Sequence, residues 1–289
     1  MYAITGITGR IGSELARHLI DAGLPVRAVA RDPKKTVEWA ALGCEIARAD
    51  MTDATALTEA FRGATGVFIL PPPVFDPQPG YPEAHAVAEA VLKALNEAKP
   101  GRVLSLSTIG ADAAQDNLLS QHTIIEAQLR KIPLPLTILR PAWFMENAAW
   151  DVASARETGA IQSFLAPTDR KIAMVSTKDV GRVAAEIIEQ DWIGTRIVEL
   201  EGPRRVSPED LAEAFAHALG KGVRAVPVPR ESWEGLFRAQ GMKNPEPRIR
   251  MLDGFNEGWI DFQDKGSKAI KGRIDIGPAI AALVADAAH

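Results

Sequence analysis

Short apolar runs and helical stripes alternate with great regularity through the first half of the chain. Tyr2 to Thr5 reads as a short strand, and Ile11 to Ala22 as a helix with apolar positions at Ile11, Leu15, Leu19 and Ile20, closed by Gly23. Pro25 to Arg31 predicts a second strand, Lys34 to Gly43 a second helix, and Cys44 to Asp50 a third strand. The alternation continues with a helix over Ala54 to Phe61, a buried strand over Thr65 to Leu70, a long helix over Glu83 to Glu97 and a strand over Gly101 to Ser107. A helix containing Thr123 to Leu129 and a strand over Pro135 to Pro141 complete the series. Parallel strands need crossover connections of about a dozen residues, which the intervening helices supply. Six strands separated by helices therefore predict a doubly wound α/β fold, its parallel sheet covered on both faces.

Beyond Pro141 the rhythm loosens. Thr177 to Gln190 keeps helical spacing, Arg196 to Gly202 reads as a strand, and Ser207 to Gly220 reads as a helix with a serine cap and a glycine stop. No internal repeat or low-complexity linker appears, and the expectation is a smaller second lobe of α+β character.

Where the first strand gives way to the first helix, the chain places Gly6, Gly9 and Gly12 within seven positions. A turn without side chains lets the backbone approach a pyrophosphate, whose charge then meets the free N–H groups of a helix N-terminus. The spacing differs from the common dehydrogenase G-x-G-x-x-G, and a glycine turn that holds no ligand is the plain alternative. At the end of the second strand an acidic residue would serve the ribose of NAD, whereas Arg31 suits a 2′-phosphate. Arg10 and Lys34 or Lys35 add positive charge nearby; a solvated Arg31, or Asp32 turned inward, is the competing reading. Asp50 and Met51 close the third strand where such folds hold the adenine, although Asp50 is equally placed to cap the next helix.

Composition narrows the classes. A net charge of −4 and a pI near 5.8 give no general attraction for nucleic acid or an acidic membrane surface. Cys44 is the only cysteine, which excludes an internal disulfide and a cysteine-rich metal framework. His18, His85, His217 and His289 lack neighbours at metal-ligand spacing, so no metal is expected. No G-x-S-x-G elbow supports serine hydrolysis. A start at Met1 without a charged leader, the single cysteine and the lack of an apolar run long enough to cross a bilayer lead to the expectation of a cytoplasmic protein.

The stretch TGITGRIG resembles T-G-x-T-G-x-x-G, the fingerprint of extended and atypical short-chain dehydrogenase/reductases. That resemblance implies a Ser after the fifth strand and a Tyr-x-x-x-Lys on the following helix, the lysine lowering the tyrosine pKa for proton exchange with a carbonyl. Here the only tyrosines are Tyr2 and Tyr81, and neither precedes a lysine at that spacing. His122 stands where the tyrosine would be and Glu126 where the lysine would be, and both are candidate catalytic residues. Glu126 at i+4 could favour a charged imidazole or accept from ribose hydroxyls; a helix-surface ion pair touching no ligand is the alternative. Ser107 and Thr108 end the fifth strand, as ligand contacts or as part of the chain turn.

With Arg31, HTIIEAQL and above all LTILRPAWFMEN (Leu136 to Asn147), the chain resembles the NmrA-like family of atypical short-chain dehydrogenase/reductases. The resemblance implies a Rossmann-type domain over residues 1–145 and a substrate lobe over 146–289, with 171–192 packing back onto the first. It implies a nicotinamide cofactor, NADP(H) favoured over NAD(H), held by Gly6, Thr8, Gly9, Arg10, Ile11, Gly12, Arg31, Asp50, Met51, Leu70, Pro71 and Ser107. By the same resemblance the backbone of Pro141, Ala142 and Trp143 lines the nicotinamide, and Phe144, Met145 and Asn147 lie near the substrate. The proline-rich loop PPPVFDPQPGYP would form one wall at the strand ends, where open α/β sheets bind ligands. Trp143, Phe144 and Trp150 offer aromatic surface for a flat acceptor, with core packing as the alternative for two of them. The expected activity is NADPH-dependent hydride transfer to a small planar, quinone-like or conjugated acceptor, and a homodimer is the candidate assembly. A non-catalytic NADP(H) sensor and a nucleotide-sugar epimerase are the alternatives.

Overall fold

The computed structural model describes residues 1–287. Its elements run β1 (Tyr2–Thr5), α1 (Arg10–Asp21), β2 (Val26–Ala30), α2 (Val37–Ala41), β3 (Glu45–Arg48), α3 (Ala54–Phe61), β4 (Gly66–Ile69), α4 (Pro82–Ala98), β5 (Val103–Leu106), α5 (Ser120–Leu129) and β6 (Leu136–Pro141). The second half adds β7 (Trp143–Phe144), α6 (Val152–Thr158), β8 (Ala160–Ser163), β9 (Met174–Val175), α7 (Thr177–Ile188), β10 (Thr195–Glu201) and α8 (Pro208–Leu219). It closes with β11 (Arg224–Pro227), α9 (Trp233–Ala239), α10 (Glu246–Glu257), β12 (Ile270–Lys271) and α11 (Ile276–Asp286).

The main sheet has eight strands in the order β12-β10-β6-β5-β4-β1-β2-β3, every neighbouring pair parallel. Six of these are the expected ones; β10 and β12 come from the second half of the chain and extend the sheet beyond β6. The chain runs outward from β1 to β3 and then returns to place β4 on the other side of β1. That reversal opens a crevice at the strand C-termini between β1 and β4, the place where doubly wound sheets hold ligands.

Alternate residues of each strand feed two separate cores. Ile4, Phe68 and Leu104 pack with Leu15, Leu19 and Ile187 on one face, while Ala3, Val67, Ile69 and Val103 pack with Phe61, Val91 and Leu129 on the other. Burial on both faces explains why these strands read as continuous apolar runs. The expected second helix differs: Pro33–Thr36 forms a single 3₁₀ turn, capped by the Asp32 carboxylate accepting from the Lys34 N–H at 3.0 Å, before the short α2. Residues after β6 build two small parallel pairs, β7 with β9 and β8 with β11, and a third core of Trp233, Phe237, Ile249 and Leu252.

Helices α1 and α7 lie against each other on the β1 side of the sheet. A Cβ at Gly181 would stand 2.5 Å from the Cβ of Glu14 and 2.9 Å from the carbonyl oxygen of Ile11. Gly181→Val is therefore expected to destabilise the fold by about 1–3 kcal/mol, read as a lower urea midpoint at unchanged slope. An unchanged midpoint would mean that the two helices separate at no cost.

Candidate active site

Thr5 starts the site. Its hydroxyl donates to the Phe68 carbonyl at 3.0 Å and accepts the Leu70 N–H at 2.7 Å, tying the ends of β1 and β4 together. Gly6 then turns at φ +66°, and a Cβ there would lie 2.5 Å from the Leu70 side chain. A Cβ at Gly12 would meet the Gly6 carbonyl oxygen at 2.3 Å, so this glycine allows α1 to pack onto its own entry turn. Gly9 is different: the nearest atom to its Cβ would be the Gly6 oxygen at 3.3 Å, and its outer face is open to the cleft.

Gly9 is the N-cap of α1, which carries neither a side-chain cap nor an acidic residue in its first turn. Among the described residues no protein acceptor bonds the backbone N–H of Arg10, Ile11 or Gly12. By contrast α3, α7, α8 and α11 are capped by Asp53, Ser176, Ser207 and Asp275. The α1 N-terminus opens on the cleft at a glycine turn, which gives an anion both free donors and the positive end of the dipole.

The cleft has a volume of about 1070 Å³. It runs from the glycine turn past Arg31 and Met51 to the proline-rich loop and His122. Of the expected cofactor residues it brings together Gly6, Thr8, Gly9, Arg31, Asp50, Met51, Leu70 and Pro71. Arg31 is three-quarters exposed, its Nε 4.0 Å from Asp50, and Lys35 lines the same end. Asp32 spends its carboxylate on the Lys34 N–H. Asp50 does not cap α3, since Asp53 does so by accepting from Ala56. It accepts instead from the hydroxyl and N–H of Thr52, and these bonds hold its carboxyl below the usual range.

The proline-rich loop is fastened at several points. Gln121 donates to the Val74 carbonyl at 3.0 Å, and the Asp76 carboxylate accepts the N–H groups of Lys243 and Asn244 at 2.9 and 2.7 Å. Tyr81 follows with a left-handed backbone, φ +55°, its hydroxyl donating to Asp116 at 2.8 Å. Burial and that carboxylate push the Tyr81 phenol well above its ordinary pKa, which removes it as an acid.

His122 lines the cleft on the first turn of α5. Burial lowers its pKa to about 4, against a smaller upward pull from Glu126. The imidazole is neutral near pH 7: Glu126 does favour the charged form, but burial outweighs it. Glu126 itself lies beneath the site. Arg140 donates to both of its carboxylate oxygens at 2.9 and 2.8 Å, Ser107 donates to one at 2.6 Å and Arg130 to the other at 3.3 Å. Burial pulls the Glu126 carboxyl upward, but the bonds from Arg140 and Ser107 outweigh it and hold the group ionised. Neither a ribose acceptor nor a surface ion pair describes it: it is a buried carboxylate that joins β5, α5 and β6. Arg140 also donates to Asp112 at 2.8 Å. The visible signal for this network was one arginine inside an otherwise apolar strand, a charge that burial permits only with a partner.

The remaining candidates sit elsewhere. Arg10 is exposed and Ile11 is core; neither side chain lines the cleft, where their contribution is the free N–H. Ser107 is 4% exposed and committed to Glu126. Pro141 and Ala142 are buried at the end of β6, and Trp143 stacks edge-on against Phe255 with centroids 5.1 Å apart. Phe144 is half-buried in the β7–β9 pair, Met145 is core at 1% exposure, and Asn147 and Trp150 lie on the surface. None of these lines the large cleft. Among the described residues no group of three or more His, Cys, Asp or Glu is placed to hold a metal, and no helix is long and apolar enough to cross a membrane. His289 lies outside the described residues.

A parallel sheet with this strand order and a glycine turn at its crossover point defines a Rossmann-type nucleotide-binding fold. The chain belongs to the NmrA-like family, whose model matches residues 2–246. It is similar to the NAD(P)H azoreductase of Xenophilus azovorans, 26% identical over 260 residues that cover 89% of this chain and 85% of the relative. It is also similar to quinone oxidoreductase 2 of Escherichia coli (strain K12), 28% identical over 247 residues, 84% of this chain and 82% of the relative. The solved NADPH complex of the NADPH-dependent quinone oxidoreductase of Escherichia coli shares the fold with a TM-score of 0.79 at 24% identity, over 98% of this chain and 99% of that one.

Removing Glu126 would leave Arg140 buried with only Asp112 to answer it. Glu126→Ala is expected to lower unfolding stability by about 3 kcal/mol, measured by urea denaturation; a loss under about 1 kcal/mol would show that the pair is solvated.

Proposed function

We propose that this chain is an NADPH-dependent reductase that passes hydride to a small quinone-like or conjugated acceptor without the Tyr-x-x-x-Lys pair. The observation that carries the reading is the uncapped α1 N-terminus opening into a cleft whose other end is walled by a neutral His122. The names of the relatives, an azoreductase and a quinone oxidoreductase, support the same chemistry.

The cleft fits a dinucleotide in its own terms. Gly9 leaves open the space a side chain would fill, and the N–H groups of Arg10, Ile11 and Gly12 face a diphosphate with donors already oriented. Arg31 and Lys35 lie where the adenosine 2′-phosphate of NADPH would sit, and Asp32, which also lines the cleft, has one carboxylate oxygen engaged by the Lys34 N–H. Met51 supplies an apolar edge for the adenine. When bound, the cofactor supplies the hydride. The Glu126–Arg140–Ser107 network fixes the ends of β5 and β6, where the nicotinamide is proposed to lie beside Pro141, Ala142 and Trp143. His122 acts as a neutral donor: one ring N–H polarises the acceptor oxygen, and solvent delivers the proton. A quinone tolerates this weak acid because its reduced oxygens are themselves stabilised.

A second reading, a sensor that binds NADP(H) without turnover, is favoured by one observation. Glu126 is fully engaged and His122 is uncharged, so the site holds no strong acid. Steady NADPH consumption with a simple naphthoquinone supports the reductase, whereas tight binding with unchanged cofactor on long incubation would overturn it.

Two variants probe the assignments. Arg31→Ala should weaken NADPH by about tenfold or more, about 1.4 kcal/mol, with little effect on NADH; equal weakening would place Arg31 away from the 2′-phosphate. His122→Ala should slow turnover while retaining NADPH affinity, and the parent rate should stay flat from about pH 5.5 to 8, where the imidazole is neutral throughout. An unaltered rate in the variant would remove His122 from the chemistry.

A further inference from the structure

A second, smaller cavity of about 310 Å³ lies beside the cleft. Gly110 stands between the two. A Cβ there would stand 2.8 Å from Ile260, which lines the small cavity, and 3.3 Å from Leu119, which lines the cleft. The floor is formed by Ile109, Ile172, Ala173, Phe255 and Ile260, each less than a tenth exposed. Ile109 follows the end of β5, and its N–H is bonded to the Pro141 carbonyl at 2.8 Å, so this floor begins at the strand ends where the nicotinamide is proposed to lie.

The rim carries four cations against two carboxylates. Asp261 is taken by Arg205 in a two-pronged pair at 2.7 and 2.8 Å, and Glu257 accepts the indole N–H of Trp259 at 2.8 Å. Among the described residues Arg170, Lys171 and Lys265 have no carboxylate within ion-pair distance. The turn that presents Lys265 is specially built. Asp264 and Lys265 both take left-handed backbone angles, φ +49° and +53°, uncommon for side chains, and Arg205 holds the turn through the Lys265 carbonyl at 2.9 Å. An apolar floor suits a flat carbon skeleton, and an excess of unpaired positive charge at its edge suits an anion on that skeleton.

We propose that this second cavity binds planar conjugated molecules bearing an acidic group, with the ring on the floor and the anion toward Arg170, Lys171 and Lys265. His122 does not line this cavity, so the inference concerns a second binding site beside the proposed reaction cleft. The binding itself does not depend on the reductase reading. Because the three cations are exposed, the preference for the anion weakens with salt.

The test measures binding to the cofactor-free chain by tryptophan quenching, with naphthoquinone sulfonate against unsubstituted naphthoquinone. The sulfonate should bind about tenfold tighter at low salt and lose that advantage at high salt. Combining Arg170→Gln, Lys171→Gln and Lys265→Gln should abolish the preference while the melting temperature, NADPH affinity and affinity for the neutral quinone stay unchanged. Equal affinity for the two quinones, or an unchanged preference in the triple variant, would overturn the proposal. A sulfonate preference without NADPH consumption on either quinone would leave the site standing and remove the reductase reading. Reduction of the neutral quinone with no sulfonate preference would do the reverse.

Discussion

A helix whose first amides lack a protein partner is the constraint on which the cleft depends. Four other helices close such ends with a serine or an aspartate, whereas α1 begins with glycine and arginine and closes nothing. Left to water, those donors would be satisfied without consequence. Their position at the β1/β4 reversal, over a turn kept bare by Gly6 and Gly9, makes them a receptor for an anion that approaches along the sheet edge. Thr5 and Leu70 serve the same end by locking the two strand termini at fixed separation.

At the other end of the cleft, one buried ion pair decides what chemistry remains. Arg140 sits inside a central strand, and its charge is tolerable only because Glu126 and Asp112 answer it. That commitment draws Glu126 and Ser107 out of the pool of reacting groups and leaves His122 facing the cleft, desolvated and uncharged. Under the proposed reading such a site supplies orientation and a hydrogen bond rather than a strong acid.

The fold was legible because local signals agreed with one another. Apolar runs, glycine stops and the Ser207 cap all pointed to alternating strands and helices, and α3 and the Ser207-capped α8 lie where those signals placed them. The extension of the sheet by β10 and β12 was not legible: a strand of seven residues and another of two carry no local mark of which neighbour they join. The 3₁₀ turn at Pro33–Thr36 was hidden by a lysine-rich pattern that suits a helix equally well. For the site, the place of the cleft was readable from Gly6, Gly9 and Arg31, which line it at the strand ends where the alternation put them. The roles of Glu126, Met145 and the Asp76 tie were not, because each depends on a partner remote in sequence, as Asp76 does on Lys243 and Asn244.

The most direct measurement follows the backbone amides themselves. In a proton–nitrogen NMR titration of the labelled chain with NADPH, the resonances of Arg10, Ile11 and Gly12 should move farthest among those of α1 and saturate together with the cofactor's own signal. Saturable binding that leaves those three resonances in place would contradict the account.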